Sequence, residues 1–368
     1  MLLKIKRFIK KEAVLTVSGI LALVSMFFVT PSIQYLSYID FKTLSILLCL
    51  MIVMAGFRKI GVFSAMAKAL LERTSSIKST VLILVLLCFF TSMAITNDVA
   101  LITFVPFAIE VLSDAGRKDK IVFTVVMQTV AANLGSMLTP IGNPQNLYLY
   151  TLSGISAVSF IKLMLPYSVV SLVLILLSIL TGKSEKLSIN KTKKISVPIK
   201  STVLYIVMFV VCLVTVAGYI PYYITLILIL VLTAVSDWTL IKKADYGLLL
   251  TFIFFFIFIG NMGNITQFRD WLASVVDGRE VIVSVLSSQV ISNVPAALLL
   301  SGFTNNTEQL IIGTNIGGLG TLIASMASLI SYKYFAGFDG NSKGRYMLIF
   351  TVVNIVFLIL LAVFHMII

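Results

Sequence analysis

Apolar runs about as long as a bilayer-crossing helix, roughly 17 to 25 residues, recur along nearly the whole chain. Such runs lie near 13–30, 41–57, 163–181, 201–218, 222–240, 248–264 and 345–367, with two longer, interrupted runs at 120–152 and 308–332. Of the 368 residues, 59% are hydrophobic and 12% are charged, whereas about a quarter of the residues in a soluble domain are charged. These runs predict an all-α polytopic membrane protein.

The distribution of basic residues predicts the orientation of the helices. A net charge of +13 could suggest nucleic-acid binding, but the basic residues fall in short clusters between apolar runs. Such clusters mark cytoplasmic loops. With a cytoplasmic N-terminus and an external C-terminus, every basic residue lies inside except Lys42, Lys162, Arg269 and Arg279. We predict a multi-pass protein of the inner or plasma membrane that contacts lipid and does not bind nucleic acid.

A polar pattern occurs twice within the apolar sequence, as TSMAITND at 91–98 and as SSQVISNV at 287–294. The matched pairs include Ser92 and Ser288, Thr96 and Ser292, and Asn97 and Asn293. Polar side chains in hydrocarbon cost several kcal/mol unless they line a cavity or bind something. The duplicated pattern is therefore a candidate binding site.

The charges that flank each copy indicate how the chain passes through it. Lys78 and Arg117 both belong to cytoplasmic clusters, so 79–113 is predicted to be a re-entrant hairpin that enters from the cytoplasm and turns near Asn97. The second copy, 280–302, lies between Arg279 and Glu308 and is predicted to enter from outside. The alternative is two plain spanning helices. Each later loop would then lie on the other side of the membrane, and the basic clusters would no longer fall on the cytoplasmic side.

A second pair of matching blocks follows the hairpins, NLGSMLTPIGNPQNLYLY at 133–150 and NIGGLGTLIASMASLISY at 315–332. Pro140 and Pro144 each lack an amide donor, and unwound backbone in a membrane persists only where it lines a cavity or water. The second block has glycines instead, which permit a break but equally suit close helix packing. The helix-break candidates are Pro140, Pro144, Gly317 and Gly320, and the candidate ligands are Thr139, Gly142, Asn143, Asn146, Asn315, Gly318, Thr321 and Ser325.

The order of these blocks predicts an inverted-topology repeat. Residues 1–181 would form the first transmembrane repeat with the hairpin 79–113. The polar, basic segment 182–200 would be a cytoplasmic linker. Residues 201–368 would contain a linking helix and the second repeat, with the hairpin 280–302.

The residue types suit ions. Hydroxyls, an Asn oxygen and the free carbonyls at a helix end favour a hard monovalent cation, while the amides at the start of the next helix favour an anion. Hydroxyls in membrane helices also bond to the carbonyl of the preceding turn with no further role. Asp98, whose counterpart is Val294, could carry a proton, coordinate a cation, or merely cap the hairpin.

The motifs TND at 96–98 and TPIGNPQN at 139–146 resemble the ion-transporter superfamily of arsenite permeases, NhaD-type antiporters, citrate transporters and divalent-anion symporters. By that resemblance one site would combine Ser92, Thr96, Asn97 and backbone near Gly142. The other would combine Ser288, Ser292, Asn293 and backbone near Ala324. The third motif position departs from the family pattern, with Asp98 in one half and Val294 in the other. The resemblance also implies a homodimer in which the hairpin domain moves as an elevator.

These features together predict a secondary active transporter for a small anion, such as a dicarboxylate, citrate or an arsenite-like oxyanion, coupled to protons or sodium. A sodium/proton antiporter is the alternative. A channel is less favoured because no ring-forming pore motif occurs. The sequence has one histidine and no recognisable nucleophile and base pair, metal-ligand spacing or phosphate loop, so neither an enzyme nor a cofactor is expected.

Overall fold

Helices make up nearly all of the part of the chain that the structure describes. The computed structural model describes residues 12–72, 74–181, 185, 196–338 and 342–368. The α-helices in chain order are α1 (Ala13–Ser25), α2 (Tyr35–Tyr38), α3 (Phe41–Lys59), α4 (Val62–Leu71), α5 (Ile77–Ile95), α6 (Asn97–Asp114), α7 (Ile121–Ser136), α8 (Pro144–Ser153), α9 (Ala157–Leu180), α10 (Ile199–Val216), α11 (Tyr222–Asp237), α12 (Tyr246–Gly263), α13 (Thr266–Val276), α14 (Glu280–Ile291), α15 (Asn293–Ser301), α16 (Thr307–Ile316), α17 (Met326–Phe338) and α18 (Lys343–Ile367).

Seven helical segments in the described ranges are long and apolar enough to cross a bilayer. They are α3, α5, α9, α10, α11 together with the 3₁₀ segment Trp238–Lys243, α12 and α18. This confirms the prediction of an all-α polytopic membrane protein.

The predicted span at 13–30 is wrong in its length. Helix α1 has 13 residues, which at 1.5 Å per residue is about 20 Å and less than a bilayer core. Asn261 on α12 donates to Ser25 Oγ and to Tyr35 Oη, at 2.9 and 2.8 Å. These hydrogen bonds tie the end of α1 and the start of α2 to α12, and residues 26–29 form a turn between them instead of further helix.

Helix α7 lies at the centre of the fold. All of its residues except Phe123 are buried, as expected for a helix that is packed on every side. The buried polar residues Gln128 and Asn133 are part of it. Gln128 Nε2 donates to the carbonyls of Leu84 on α5 and Phe104 on α6, both at 3.2 Å, and so joins these two helices to α7.

Two helical hairpins and two interrupted helices lie around this centre. Only Thr96 separates α5 from α6, and only Ser292 separates α14 from α15. Residues 137–143 separate α7 from α8 and are here called the first break. Residues 317–325 separate α16 from α17 and are called the second break.

The helix ends that carry basic clusters lie on one side of the bundle, here called the basic face. Lys59 at the end of α3 pairs with Asp237 at the end of α11. Arg117 pairs with Glu185, whose carbonyl accepts from the amide of Ile77 at the start of α5. The hydrogen bond from Arg117 lowers the pKa of the Glu185 carboxyl. Both ends of the first hairpin therefore lie at the basic face.

The second hairpin begins and ends at the other side, here called the opposite face. Thr304 Oγ1 donates to Glu280 Oε1 at 2.9 Å, which joins the two ends of this hairpin. A Cβ atom on Gly302 would lie 2.5 Å from Ile259, near the end of α12, and α12 starts beside Lys243 at the basic face. The two hairpins thus approach from opposite ends of the bundle, while the assignment of the basic face to the cytoplasm stays a prediction.

Much of the predicted linker lies outside the described residues. Of 182–200, the structure describes Glu185 and residues 196–200. The basic cluster before Glu12 also lies outside them. The predicted boundaries of the two repeats therefore stay predictions.

Glycines allow close contact between each hairpin and its neighbouring interrupted helix. A Cβ atom on Gly135 of α7 would overlap the carbonyl oxygen of Phe89 and lie 2.6 Å from Ser92 Oγ. A Cβ atom on Gly317 would lie 2.7 Å from Ser288 Oγ. The same close approach thus occurs in both halves.

Gly135→Ala should destabilise the protein by about 1–3 kcal/mol, because the obstructing atom is backbone and cannot rotate away. Thermal unfolding of the detergent-solubilised protein measures the effect. Gly337→Ala on α17 is the matched control, since a Cβ atom there meets nothing within 4 Å. Equal melting temperatures for the two variants would contradict the close packing of α5 on α7.

Candidate functional site

Each hairpin turns at one residue with an unusual backbone conformation. Thr96 has φ 69° and ψ 149°, and Ser292 has φ 76° and ψ 153°. For a residue other than glycine this conformation costs on the order of 1–3 kcal/mol and persists only where the surroundings hold it. Among the described residues, these are the only non-glycine residues with positive φ. Backbone strain is therefore concentrated at two corresponding positions, the hairpin tips.

One backbone hydrogen bond joins each tip to the break of its own half. The amide of Asn97 donates to the carbonyl of Gly142 at 3.0 Å, and that of Asn293 to the carbonyl of Ala324 at 2.9 Å. The donors correspond to each other in the repeated pattern, and so do the acceptors. The two halves therefore form the same local structure, although the break sequences differ.

A second contact between tip and break is also repeated. The hydroxyl of Thr139 in the first break donates to the carbonyl of Met93. The hydroxyl of Thr321 in the second break donates to the carbonyl of Gln289 at 3.1 Å. Both threonines were predicted as ligands, and here each joins a break to the last turn before a tip.

Side-chain hydrogen bonds connect the two halves reciprocally. Ser325 Oγ donates to Asn133 Oδ1 at 3.0 Å, and Asn143 Nδ2 donates to Asn315 Oδ1 at 3.1 Å. Because Asn133 corresponds to Asn315 and Asn143 to Ser325, this is one contact made twice, as across a two-fold axis. Asn97 Nδ2 also donates to Asn133 Oδ1, at 3.1 Å. One buried network thus includes the first tip and both breaks.

Side-chain amides occupy carbonyls that the sequence suggested for a cation. Asn146 Nδ2 lies 3.2 to 3.4 Å from the carbonyl oxygens of Ser136, Met137 and Thr139. Gln289 Nε2 donates to the carbonyls of Gly317 and Leu319 at 3.0 and 2.9 Å. A cation could use these oxygens only by displacing the amides.

The backbone amides at the start of α6, the second helix of the first hairpin, also have hydrogen-bond partners in the protein. The amide of Asn97 donates to the carbonyl of Gly142 at 3.0 Å, and the amide of Asp98 donates to Asn97 Oδ1 at 2.9 Å. The expected anion site on these two amides is therefore already satisfied by the protein.

Two of the predicted hydroxyl ligands bond within their own helices. Ser92 Oγ donates to the carbonyl of Phe89 at 2.9 Å, and Ser288 Oγ donates to that of Ser284 at 2.7 Å. Both are fully buried one turn before the tips. The structure thus favours the alternative role for Ser92 and Ser288, in which a hydroxyl only satisfies a helix carbonyl.

The hydroxyl of Ser292, at the second tip, has its contacts with the second break and with the next residue. Ser292 Oγ donates to the carbonyl of Ala324 at 3.4 Å and lies 3.5 Å from Asn293 Oδ1. Both Ser292 and Asn293 are buried. The second tip is therefore closed by its own contacts.

The prolines of the first break have different roles. Pro140 lies within the break, as predicted. Pro144 does not, because it is the first residue of α8, where a missing amide costs nothing. Asn143 caps the same helix, with Oδ1 accepting from the amide of Asn146 at 2.9 Å.

The glycines of the breaks are held by close neighbours. A Cβ atom on Gly142 would overlap the carbonyl of Ser136, and one on Gly318 would lie 2.9 Å from Asn293 Nδ2. Gly320 has φ 105°, which favours glycine. Both breaks are thus unwound, and both are closely packed.

A cavity of about 150 Å³ runs between the first tip and the basic face. Thr96 and Asp98 line its inner end, and the exposed residues Arg58, Lys243 and Asp245 line its mouth. Apolar side chains of α3, α6, α12 and α17 form most of the remaining wall. Of the predicted site residues, Thr96, Asp98 and Pro144 reach this cavity, and the buried network lies behind them.

Asp98 is the acidic group of this cavity nearest the tip. Its Oδ1 atom is buried and has no hydrogen-bond partner in the protein. Such an oxygen loses its hydration without compensation, so a proton, a cation or a hydroxyl donor would be stabilised beside it. The corresponding residue Val294 offers no such oxygen.

Sequence reasoning missed two residues of the site. Asn133 was recognised only as the match of Asn315, although it accepts hydrogen bonds from Asn97 and Ser325. Gln289, which faces the second break, has the apolar counterpart Met93 and so gave no repeated signal. A second amide, besides Gln128, on a mostly apolar helix was the available indication for Asn133.

The described residues include no group of three or more His, Cys, Asp or Glu side chains that could hold a metal ion. A monovalent ion at Asp98 would be cargo rather than a resident cofactor.

Comparison with known proteins identifies the family of this chain. The family model described as citrate transporter matches residues 2–309. An uncharacterized transporter of Methanocaldococcus jannaschii is 34% identical over 89% of this chain and 89% of its own. The inner membrane protein YbiR of Escherichia coli is 28% identical over 80% of each chain. The silicon efflux transporter LSI3 of Oryza sativa subsp. japonica is 30% identical over 35% of this chain and 26% of its own.

The resemblance drawn from TND and TPIGNPQN is confirmed, since the match covers both motifs and both hairpins. The relatives that cover most of the chain are a transporter and a membrane protein. The chain therefore belongs to the citrate transporter family and is a polytopic membrane transporter.

Proposed function

We propose that this chain is a secondary active transporter that moves a small anion across the inner or plasma membrane, with protons or sodium as the coupling ion. The observation that carries the proposal is the pair of corresponding tips and breaks, joined by reciprocal hydrogen bonds beside a cavity that reaches the basic face. Inverted repeats with broken helices allow one site to face each side in turn. The homodimer and elevator motion implied by the resemblance belong to this proposal.

The size of the cavity favours a small oxyanion over citrate. A cavity of about 150 Å³ is the size that accommodates benzene, and citrate is larger than benzene. Thr96 and Asp98 at the inner end offer hydrogen-bonding groups to a compact ligand. The silicon efflux transporter LSI3, which matches only part of the chain, is named for a small substrate rather than for citrate.

Electrostatics supply a reason for coupling. Arg58 and Lys243 at the mouth raise the local concentration of anions, whereas a charged Asp98 would repel an anion that reached the tip. A proton or sodium ion bound at Asp98 removes that repulsion. Each ligand then strengthens the binding of the other, as symport requires.

A sodium/proton antiporter is the second candidate, and the unpartnered Asp98 Oδ1 favours it. In that case the carboxylate would bind a proton and sodium in competition, and no anion would be needed. The two candidates differ in whether cation movement depends on an anion.

Asp98→Asn tests the role of the carboxylate in reconstituted vesicles supplied with arsenite, silicate, a dicarboxylate or citrate under imposed pH or sodium gradients. We expect uptake of one of these anions to lose its dependence on the gradient, with a fall of at least about tenfold in the driven rate, because the amide binds neither a proton nor sodium well.

Glu110→Gln is the control, since Glu110 is an exposed acid on the same helix, near its end at the basic face. It should leave coupling unchanged. Gradient-driven uptake that persists in Asp98→Asn would exclude the coupling role. Sodium-driven proton movement without any anion would replace the anion transporter with the antiporter.

Asn133→Ala should reduce the maximal transport rate at least about tenfold while the protein remains folded, because the network that positions the first tip loses its common acceptor. Uptake by vesicles and thermal unfolding are measured on the same preparation. Asn354→Ala is the matched control: Asn354 is equally buried, and its amide donates to the carbonyl of Phe350 in its own helix. Similar losses of transport in the two variants would contradict a specific role for Asn133.

A further inference from the structure

Helices α3 and α12 occupy corresponding places in the two halves. Each starts after an aspartate that caps it, with Asp40 accepting from the amide of Thr43 and Asp245 from that of Leu248, both at 3.0 Å. Each then leads, through a short helix, into a hairpin. This correspondence relates positions on α3 to positions on α12.

A groove on the opposite face is lined by the counterparts of residues that line the cavity. The correspondence relates Asp245, Met51 and Ile330 of the cavity to Asp40, Phe256 and Tyr148 of the groove. The cavity continues to the first tip at Thr96 and Asp98. The groove is lined by α8, α12 and the segment before α3.

Tyr148 and Phe256 line the groove at positions where the cavity has aliphatic side chains, and Phe252 packs beside them. The ring of Tyr148 lies 6.2 Å from that of Phe252 and 5.5 Å from that of Phe256, between centroids, and the two phenylalanines are 6.0 Å apart. Tyr148 Oη also forms a 2.8 Å hydrogen bond with Ser301 Oγ at the end of α15. Tyr148 is buried, and by the correspondence this cluster lies where, in the other half, the cavity continues to the tip.

The counterparts at the cavity make no such contact. Ile330, Leu47 and Met51 correspond to Tyr148, Phe252 and Phe256, and all three line open space. Rings bury more apolar area than aliphatic chains and gain further from edge-to-face geometry. Corresponding positions are therefore packed differently: aromatic side chains contact one another beside the groove, whereas aliphatic side chains face open space in the cavity.

We propose that Tyr148 is a positioning residue that holds the site open to the basic face, by packing on Phe252 and Phe256 and bonding to Ser301. The inference rests on the proposed alternating access, though not on the identity of the substrate. In an inverted repeat, the two halves exchange conformations between the two states, so each half takes in the alternative state the conformation that the other half has in this one. In that state Tyr148 leaves the two phenylalanines, and Ile330 packs against Leu47 and Met51.

The equilibrium between the two states depends on the difference between these packings. Removing the tyrosine ring should shift the population towards the state open to the opposite face. A variant at Ile330 changes the other contact and should not have this effect.

Cysteine accessibility in the full-length protein tests the proposal without any substrate. Val294→Cys places a thiol at the buried second tip, and Val99→Cys places one in the wall of the cavity. The native cysteines Cys49, Cys88 and Cys212 are buried, so they add little background. A small, charged methanethiosulfonate is applied separately to each side of the vesicle membrane.

Tyr148→Ala should raise the labelling rate at position 294 from the opposite face by about tenfold and lower the rate at position 99 from the basic face. Tyr148→Phe keeps the ring, loses the bond to Ser301, and should give a smaller change in the same directions. Ile330→Ala is the control and should not raise labelling at position 294.

A reciprocal change at the two reporters supports the role of Tyr148, because general loosening would raise both rates. Equal increases at both positions, or no change at either, would overturn it. If Tyr148→Ala does not fold, Tyr148→Leu, which keeps most of the volume and removes the ring, is judged by the same criterion. Failure of anion transport would leave this result unaffected, so the two proposals fail separately.

Discussion

Two reciprocal side-chain hydrogen bonds, from Ser325 to Asn133 and from Asn143 to Asn315, connect the halves of this transporter at the level where both helices are broken. An unwound helix in a membrane leaves polar backbone without partners, which hydrocarbon cannot satisfy. The carbonyls of each break are bonded mainly within their own half, by Asn146 in the first and by Gln289 in the second, and the reciprocal contacts join the two breaks. The two breaks are thereby held together beside the strained tips, each of which bonds to the break of its own half.

The halves share their backbone hydrogen bonds but differ in chemistry. The first tip has Asp98, with a buried oxygen that lacks a protein partner, whereas the second has Val294. A cavity reaches the first tip, whereas at the corresponding place in the second half Tyr148 packs on Phe252 and Phe256. A symmetric scaffold with unequal side chains can thus place the ion chemistry in one half and bias the direction in which the site faces.

Hydropathy and the repeated pattern were sufficient to predict the all-α class, the turns near Asn97 and Asn293, and the first break. They were sufficient because the length and spacing of apolar runs, and a polar pattern that occurs twice, can be read directly from the local sequence. The sequence did not decide whether the helix is broken at the second block, since glycines suit both unwinding and close packing. In the structure Gly317 is packed against Ser288 and lies at the start of the break, so both expectations hold at one residue.

The sequence could not predict which polar atoms meet. Ser92 has the same neighbours in sequence whether its hydroxyl binds an ion or the carbonyl of Phe89, and only the folded helix decides. Asn133 and Ser325 are far apart along the chain, so their contact has no local signature. The short helix α1 escaped prediction for a related reason, because Asn261 on a distant helix sets the turn that follows it.

The central claim is that the reciprocal contacts join the two halves, and a double-mutant cycle tests it most directly. The free energy of unfolding is measured for Asn133→Ala, Ser325→Ala and the double variant, and again for Asn315→Ala with Asn143→Ala. The account predicts a coupling energy of about 1 kcal/mol in each cycle, of the same sign in both. Additive effects, within about 0.3–0.5 kcal/mol in both cycles, would contradict it.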